Sequence, residues 1–337
     1  MTKIYNLSDC QYSNRHGTYG GAAGDKDGIL INGDYWIVKY PKPEREFDAP
    51  INMSYNTSPV SEYIGSHIYE TLGIPVHQTI LGVRNNKLVV ACKDFCEFRG
   101  QLTEMRTIKN GANHELEQIL DREMHYSSTG ERVNLNEMLL HLEHNPILQM
   151  CDGVKERFWD TVIVDLFIDN TDRNNGNWGL LFDEKNNLYH LAPVYDNGNA
   201  FFNKMNDEKM AVLINKDEKV RNDLYCGSRT AYDYNGKILS AKKLAKLDIN
   251  DLKLAANRII PTINQHMGEI EDIIDALPEN VGDIVVCSKI RKECYKQALH
   301  ARRENILLPM LDEQSAKQKM SQNKSCQRRR HEEEIEL

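Results

Sequence analysis

Residues 167 to 182 read FIDNTDRNNGNWGLLF. Six of the nine positions from Asp169 to Asn177 are Asn or Asp, and an apolar run stands on either side. Such a cluster serves as a solvated turn, a calcium loop or a reaction centre. The calcium reading fails on spacing. An EF-hand loop needs oxygen ligands at its first, third and fifth positions, Gly at the sixth and Glu at the twelfth. Counting from Asp169 puts Arg173 fifth, and counting from Asp172 puts Gly176 fifth and Asn177 sixth. For an isolated Asn/Asp loop, the solvated turn would be the better of the two readings left.

The flanking sequence changes that balance. Val154–Ile168 has helical spacing, with Val154, Phe158 and Val162 on one stripe and Trp159, Ile163 and Phe167 beside it. Downstream, Gly179–Phe182, the turn Asp183–Asn187 and Leu188–Leu191 read as a hairpin. A hairpin returns the chain to its start, so Pro193-Val194-Tyr195-Asp196 arrives beside Asn177. Asp172, Asn177 and Asp196 should therefore converge. Phosphoryl transfer uses such a group: one carboxylate orients the attacking hydroxyl, while an Asn and a second carboxylate hold Mg²⁺ on the nucleotide. Kinases place the catalytic Asp five residues before the Asn, with Asp-x-Gly later. Here Asp172 precedes Asn177 by five, and Asp196-Asn197-Gly198 follows the hairpin.

The first ninety-five residues supply what that site still needs. Gly21-Ala22-Ala23-Gly24-Asp25-Lys26 is a small-residue stretch whose backbone N–H groups can approach phosphates. Asn32-Gly33 between β-prone runs predicts a hairpin, and its return strand carries Lys39. Alternation puts Ile37 and Lys39 on one face, Trp36 and Val38 on the other. A helix is expected over Pro59–Leu72, capped by Ser58 and ended by Gly73, with Val60, Ile64, Ile68 and Leu72 inward and Glu62 on another face. Lys39 suits an α/β-phosphate contact, and Glu62, a surface charge if taken singly, could pair with it as kinase lysines pair with a helix glutamate. Strands around 78–83 and 87–92 lead into Cys92-Lys93-Asp94-Phe95. From residue 96 the pattern is helical, with 197–240 irregular and further helices expected at 240–258, 260–275 and 285–310. The tail 312–337, ending RRRHEEEIEL, is polar and charged.

Composition sets outer limits. A 40% hydrophobic and 27% charged chain of 337 residues belongs with globular proteins. Its net charge of −8 argues against nonspecific nucleic-acid binding. No run of about eighteen apolar residues spans a membrane, and the opening MTKIYNLSDC lacks a secretory layout, so a cytoplasmic location is expected, with delivery into a host cell left open. Eight cysteines in this length are too sparse for a disulfide framework, and no zinc spacing is completed.

YGGAAGDKDGI, WIVKYP, SEYIGSHIYETLGIPV, VVACKDF, NTDRNNGNWGLL and APVYDNGNAF, in that order, resemble the HipA-like serine/threonine kinases, above all their shorter members. The likeness covers residues 15 to 205. It implies an α+β, two-lobed protein-kinase-like fold: a β-rich ATP-binding lobe over 1–95, a helical catalytic lobe over 96–311 and the charged tail. It also implies ATP and Mg²⁺ as cofactors and a protein bearing Ser or Thr as substrate. By position, Asp172 would be the catalytic base, and Asn177 and Asp196 the metal ligands. Lys39, Glu62, the 21–26 loop, Asn174 and Tyr195 would belong to the nucleotide site, with Cys92-Lys93 meeting adenine. Asn174 stands where toxin-type members commonly carry His. Autophosphorylation in the Gly-rich loop would find only Thr18 and Tyr19 nearby. An antitoxin-like or host protein partner is open; nucleic acid and membrane are not expected. A pseudokinase acting as an interaction module and a kinase for a lipid or small molecule are the rival readings.

Overall fold

The computed structural model describes residues 1–16, 26–41, 58–96 and 100–311. Gly21–Asp25 of the small-residue stretch and the tail 312–337 lie outside the described residues.

The N-terminal part is a twisted sheet with one helix against it. Asn32 and Gly33 take φ values of 53° and 90°, the paired left-handed values of a type I′ turn. Counting from β1 (Tyr5–Asn6), that turn joins β2 (Lys26–Ile31) to β3 (Asp34–Lys39) in register, Lys26 facing Lys39. Helix α1 (Ser58–Thr71) follows, ended by Gly73 at φ 72°. β4 (Thr79–Arg84) and β5 (Lys87–Lys93) are joined through Asn85 and Asn86, both left-handed. The sheet order is β1-β4-β5-β3-β2. Trp36 and Val38 bury on its outer face with Leu7, Ile29, Val89 and Ala91, and the other face of β3 turns to the cleft described below. Val60, Ile64 and Ile68 of α1 sit at 0% exposure in the main core, which continues into the helical part. This continuity fixes α1 relative to everything after it.

The C-terminal part opens with β6 (Gln101–Glu104) and α2 (Met105–Leu120). Next come β7 (Val133–Asn134), α3 (Leu135–His144), α4 (Pro146–Gln149) and α5 (Val154–Ile168). Eleven of the fifteen residues of α5 are buried, so it is the central helix rather than an amphipathic cover. The expected hairpin forms as β8 (Gly179–Asp183) and β9 (Leu188–Leu191), with β6 added to its edge. That β6 strand stands where only helix was expected. At Gly179 a side chain would meet the Thr103 carbonyl oxygen at 2.2 Å, so the two strands approach this closely only through glycine.

Two stretches depart from the sequence reading. Residues 197–240, expected to be irregular, hold α6 (Asp207–Ile214), α7 (Glu218–Tyr225) and the hairpin β10 (Arg229–Tyr234)/β11 (Lys237–Ser240). The side chains of Asn206 and Asp217 cap the two helices, and Asn235-Gly236 turns the hairpin with positive φ at both residues. The two helices expected at 240–258 and 260–275 are instead a single turn, α8 (Ala241–Leu244), and one helix, α9 (Asn250–Asp275), that runs through Pro261. Pro261 is exposed while Ile259, Ile260 and Ile263 are buried. Packing on both sides of the proline outweighs the one donor it removes. The short pair β12 (Asn280–Val281)/β13 (Ile284–Val285) precedes α10 (Lys289–Arg302), which passes through a π-helical turn over Arg303–Leu307 into helical residues 308–311. No helix among the described residues is long and apolar enough to cross a membrane. The described cysteines are free thiols.

Candidate active site

The Asn/Asp stretch starts where α5 stops. Asp169 adopts φ 60° as the helix C-cap, and residues 170–178 form a loop before β8. Within that loop the side chains organise one another. Asn170 Oδ1 accepts the Asp172 N–H at 3.2 Å, Asn174 Oδ1 accepts the Gly176 N–H at 2.8 Å, and Asn177 Nδ2 donates to the Asp172 carbonyl at 2.5 Å. The Asp172 carboxylate is held at both oxygens, Oδ1 by Asn174 Nδ2 at 3.0 Å and Oδ2 by Asn199 Nδ2 at 2.8 Å. Amide donors leave it an acceptor of fixed direction and add no counter-charge. Such a carboxylate can take a hydrogen bond, and then a proton, from a hydroxyl.

Opposite the loop, Lys39 on β3 places its ammonium 3.0 Å from Glu62 Oε2 and 2.9 Å from Asp196 Oδ1. Glu62 is 1% exposed and spends its other oxygen on the Asn197 N–H at 2.9 Å and on His77 Nε2 at 2.9 Å. Burial works against the Lys39 charge, but Asp196 and Glu62 outweigh it and hold the ammonium well above its ordinary pKa. Burial works against the Glu62 carboxylate too; Lys39, then His77, reverse this and hold it far below the carboxylate range. Lys39 is also the chief cause of the lowered Asp196 pKa. Burial, with Lys39 across the strand pair, lowers Lys26. The contact between helix and loop is tight: a Cβ on Gly65 of α1 would come 2.9 Å from the Asn197 Cβ.

A cleft of about 860 Å³ collects most of these groups. Lys26, Lys39, Cys92, Lys93, Asn174, Asn177, Tyr195 and Asp196 all line it. Asp172 is outside that lining but bonded to Asn174, which is part of it. Glu62 backs Lys39 from beneath. Tyr195 donates to the Gly176 carbonyl at 3.1 Å and packs on Phe95. The Lys93 N–H is engaged by the Gln78 carbonyl at 2.9 Å and the Asp94 N–H by Tyr35 at 2.9 Å. For a metal, the donor set fits a hard divalent cation. Among the described residues, Asn177 Oδ1 and Asp196 Oδ2 accept no hydrogen bond, and both side chains border one cleft. Glu62, His77 and Cys92 also put three ligand-type atoms within 4.8 Å. There, however, the Glu62 oxygens are taken by Lys39, His77 and Asn197, and burial pushes the Cys92 thiol up, away from thiolate. That group is a polar knot in the core.

Three participants escaped the sequence reading. Arg173, 2% exposed, holds Asp165 of α5 through Nε and Nη2 at 2.9 and 3.1 Å. It also donates to the carbonyls of Asn177 and Tyr195 and, at 2.5 Å, to Asn197 Oδ1. Asn199 is the second partner of Asp172. A signal existed for the first pair, since an Asp inside the apolar run Val162–Ile168 must find a cation or lose its charge.

The model of the HipA-like C-terminal domain family matches residues 22–274. The chain is 30% identical over 301 residues to the serine/threonine-protein kinase CtkA of Helicobacter pylori (strain J99 / ATCC 700824), covering 88% of this chain and 85% of that one. Among solved structures, the crystal structure of a Helicobacter pylori proinflammatory kinase CtkA superposes with a TM-score of 0.76 at 27% identity, covering 91% of this chain and 97% of the other. HipA of Shewanella oneidensis MR-1, solved with HipB and operator DNA, shares the fold at a TM-score of 0.53 and 14% identity, with 88% and 68% of the chains covered. With the two-lobed kinase-like architecture and more than two thirds of the sequence matched, the chain belongs to the HipA-like C-terminal domain family.

Proposed function

We propose that this protein is a serine/threonine-protein kinase that moves the γ-phosphoryl group of ATP, with Mg²⁺, to a hydroxyl of a protein substrate and of its own chain. Family membership and the likeness to a serine/threonine-protein kinase along most of both chains support the kinase activity. The observation that carries the finer reading is the shared cation. Lys39 stands between Glu62 and Asp196 in a cleft that Asn177 also lines.

In this reading Lys39 exchanges part of its hold on Asp196 for the nucleotide phosphates, and Glu62 keeps it aimed. Asn177 and Asp196 would hold the metal, which neutralises phosphate charge when bound. The base would lie along the segment that starts at Cys92-Lys93. Asp172, fixed by Asn174 and Asn199, orients the substrate hydroxyl and accepts its proton. Arg173, buried and bonded to four other residues, keeps the loop in register without entering the cleft.

Incubating the purified chain with labelled ATP, Mg²⁺ and a generic protein substrate tests this. Transfer is expected from the wild type and, roughly 10²–10⁴-fold slower, from Asp172→Asn. ATP is expected to raise the melting temperature more with Mg²⁺ than with a chelator. Nucleotide binding with no Asp172-dependent transfer would return the pseudokinase reading, and equal thermal shifts in both conditions would remove the metal assignment.

A further inference from the structure

Across the cleft from Lys39 runs the connection between α2 and α3, with the sequence His125-Tyr126-Ser127-Ser128-Thr129-Gly130-Glu131. It is held from beneath. The His125 N–H donates to Glu137 at 3.0 Å, and its carbonyl accepts from buried Lys109 and, at 3.1 Å, from Asn113. Ser127 is gripped from both sides by Asn110, at 2.8 and 3.0 Å. Beyond it the chain makes a tight turn from Ser128 to Glu131, with Gly130 at φ 71° in the position that requires glycine. Thr129 is the exposed tip of that turn. Thr129 and Gly130 line the same cleft as Asn177 and Asp196.

Two contacts tie this tip to the reaction centre. Asn175, three residues after Asp172, donates to Ser127 Oγ at 3.4 Å. Thr129 is two residues further on, at most roughly 7 Å of chain away. Arg106, on the first turn of α2, has its backbone N–H on the Asn175 carbonyl at 2.8 Å. Its guanidinium donates to the Thr129 hydroxyl and, at 2.7 Å, to Glu104. A threonine hydroxyl at a turn tip, in the cleft of a hydroxyl-directed kinase, thus already touches the side chain best shaped to receive a phosphate.

We propose that Thr129 is a phosphoryl acceptor for its own active site, in cis, and that Arg106 receives the phosphate once it is attached. This rests on the kinase reading above. In the transfer, Thr129 Oγ1 bonds to the γ-phosphorus while the bond from that phosphorus to the β,γ-bridging oxygen breaks. The hydroxyl proton passes to Asp172, and ADP leaves with the electron pair. The new group adds about −1.5 to −2 charges, and the Arg106 guanidinium turns to it from Glu104. The neighbouring hydroxyls are poorer acceptors. Ser127 is half-buried and bonded to Asn175, and the Ser128 N–H is held at 2.7 Å by the Glu131 carboxylate, which would repel a phosphate.

The test is intact-chain incubation with ATP and Mg²⁺, followed by peptide mass spectrometry, in parallel with labelling of a generic protein substrate. One phosphoryl group at Thr129 is expected, lost in Thr129→Val and retained in Ser128→Ala. Its rate per molecule should not change on tenfold dilution, and an Asp172→Asn copy mixed with wild type should stay unlabelled at Thr129. Hydrogen exchange of the 104–106 and 125–131 segments should slow on phosphorylation. Asp172-dependent labelling of the generic substrate with Thr129 unmodified, or with Thr129 labelled only between copies, overturns the inference and leaves the kinase reading intact. Exchange that is unchanged or faster overturns the role of Arg106. A chain that transfers nothing removes both readings.

Discussion

Asp165 and Arg173 meet in a two-pronged ion pair, Oδ2 to Nε at 2.9 Å and Oδ1 to Nη2 at 3.1 Å, with both side chains no more than 3% exposed. One residue belongs to the central helix and the other to the loop that presents Asp172. The pair therefore ties that loop to a helix eleven of whose fifteen residues are buried. Tyr69 of α1 and Asn170 also donate to Asp165 Oδ1, at 2.8 and 3.1 Å, so the tie reaches the other lobe.

Removing one member strands a buried charge. Arg173→Ala or Asp165→Asn should cost roughly 3–5 kcal/mol of stability, the range for breaking rather than replacing a buried pair. Arg173→Lys should recover little, because an ammonium cannot span both carboxylate oxygens and the Asn177, Tyr195 and Asn197 acceptors. Denaturant titration of the three variants checks this, and a loss under 1 kcal/mol would contradict it.

Asp172 should separate chemistry from folding. Its carboxylate is only half-buried and is held by two neutral amides, which an Asn could partly satisfy. Asp172→Asn should lower turnover by roughly 10²–10⁴-fold, the span of a general base, and leave the melting temperature close to that of the wild type. A large fall in melting temperature would mean that the residue is structural.

Lys39 and Glu62 should behave as one unit. Lys39→Ala leaves Glu62 buried against His77 and the Asn197 N–H, and Glu62→Ala leaves Lys39 leaning on Asp196 alone. Each single change should reduce kcat/KM by about 10²–10³-fold, the range for one charge-stabilising donor. The double variant should be little worse than either. Additive losses in the double-mutant cycle would dissolve the unit.

His141 predicts an acid limit for the catalytic part. It is fully buried, accepts from Asn145 at Nδ1, and its Nε2 has no hydrogen-bond partner. Burial, with Lys109 nearby, lowers its pKa from 6.5 to about 3. A histidine whose folded pKa is depressed contributes fully above its unfolded pKa. That contribution is lost as pH falls from 6.5 towards 3, by at most about 1.4 kcal/mol per pH unit. Stability measured from pH 7 to pH 4 should fall less steeply in His141→Gln than in the wild type.

Local signals carried the sequence reading a long way, and long-range ones did not. Asn32-Gly33 and Gly73 each declare a backbone conformation within a few residues, and the structure follows them. At Ser58-Pro59 the helix starts as expected but takes in Ser58 as its first residue rather than leaving it as the cap. Asn235-Gly236 declares its turn just as strongly, although the stretch around it reads as irregular, and β10 before it is as long as β2 and β3. Pro261 misled because a local breaking tendency was set against tertiary packing that spacing alone does not reveal. The β8–β9 hairpin accounts for Asn177 and Asp196 bordering one cleft, with Asp172 tied to it through Asn174 and Asn177. Asn199 and Arg173 could not be reached that way, since their roles depend on the turn after Asp196 and on the buried face of α5.

The spacing between α1 and the Asp196–Asn197 segment is set by an atom that is missing. Since a single methyl at Gly65 would press 2.9 Å from Asn197, Gly65→Ala must part α1 from the Asn197 segment, and Glu62 lies three residues away on the same helix. No charge changes, no ligand is lost, and the outer surface stays as it was. Such a variant should keep its charges and lose phosphoryl transfer, which the labelled-ATP assay run beside a thermal melt would check. In a living cell it would tell apart what this protein does by catalysis from what it does by being present.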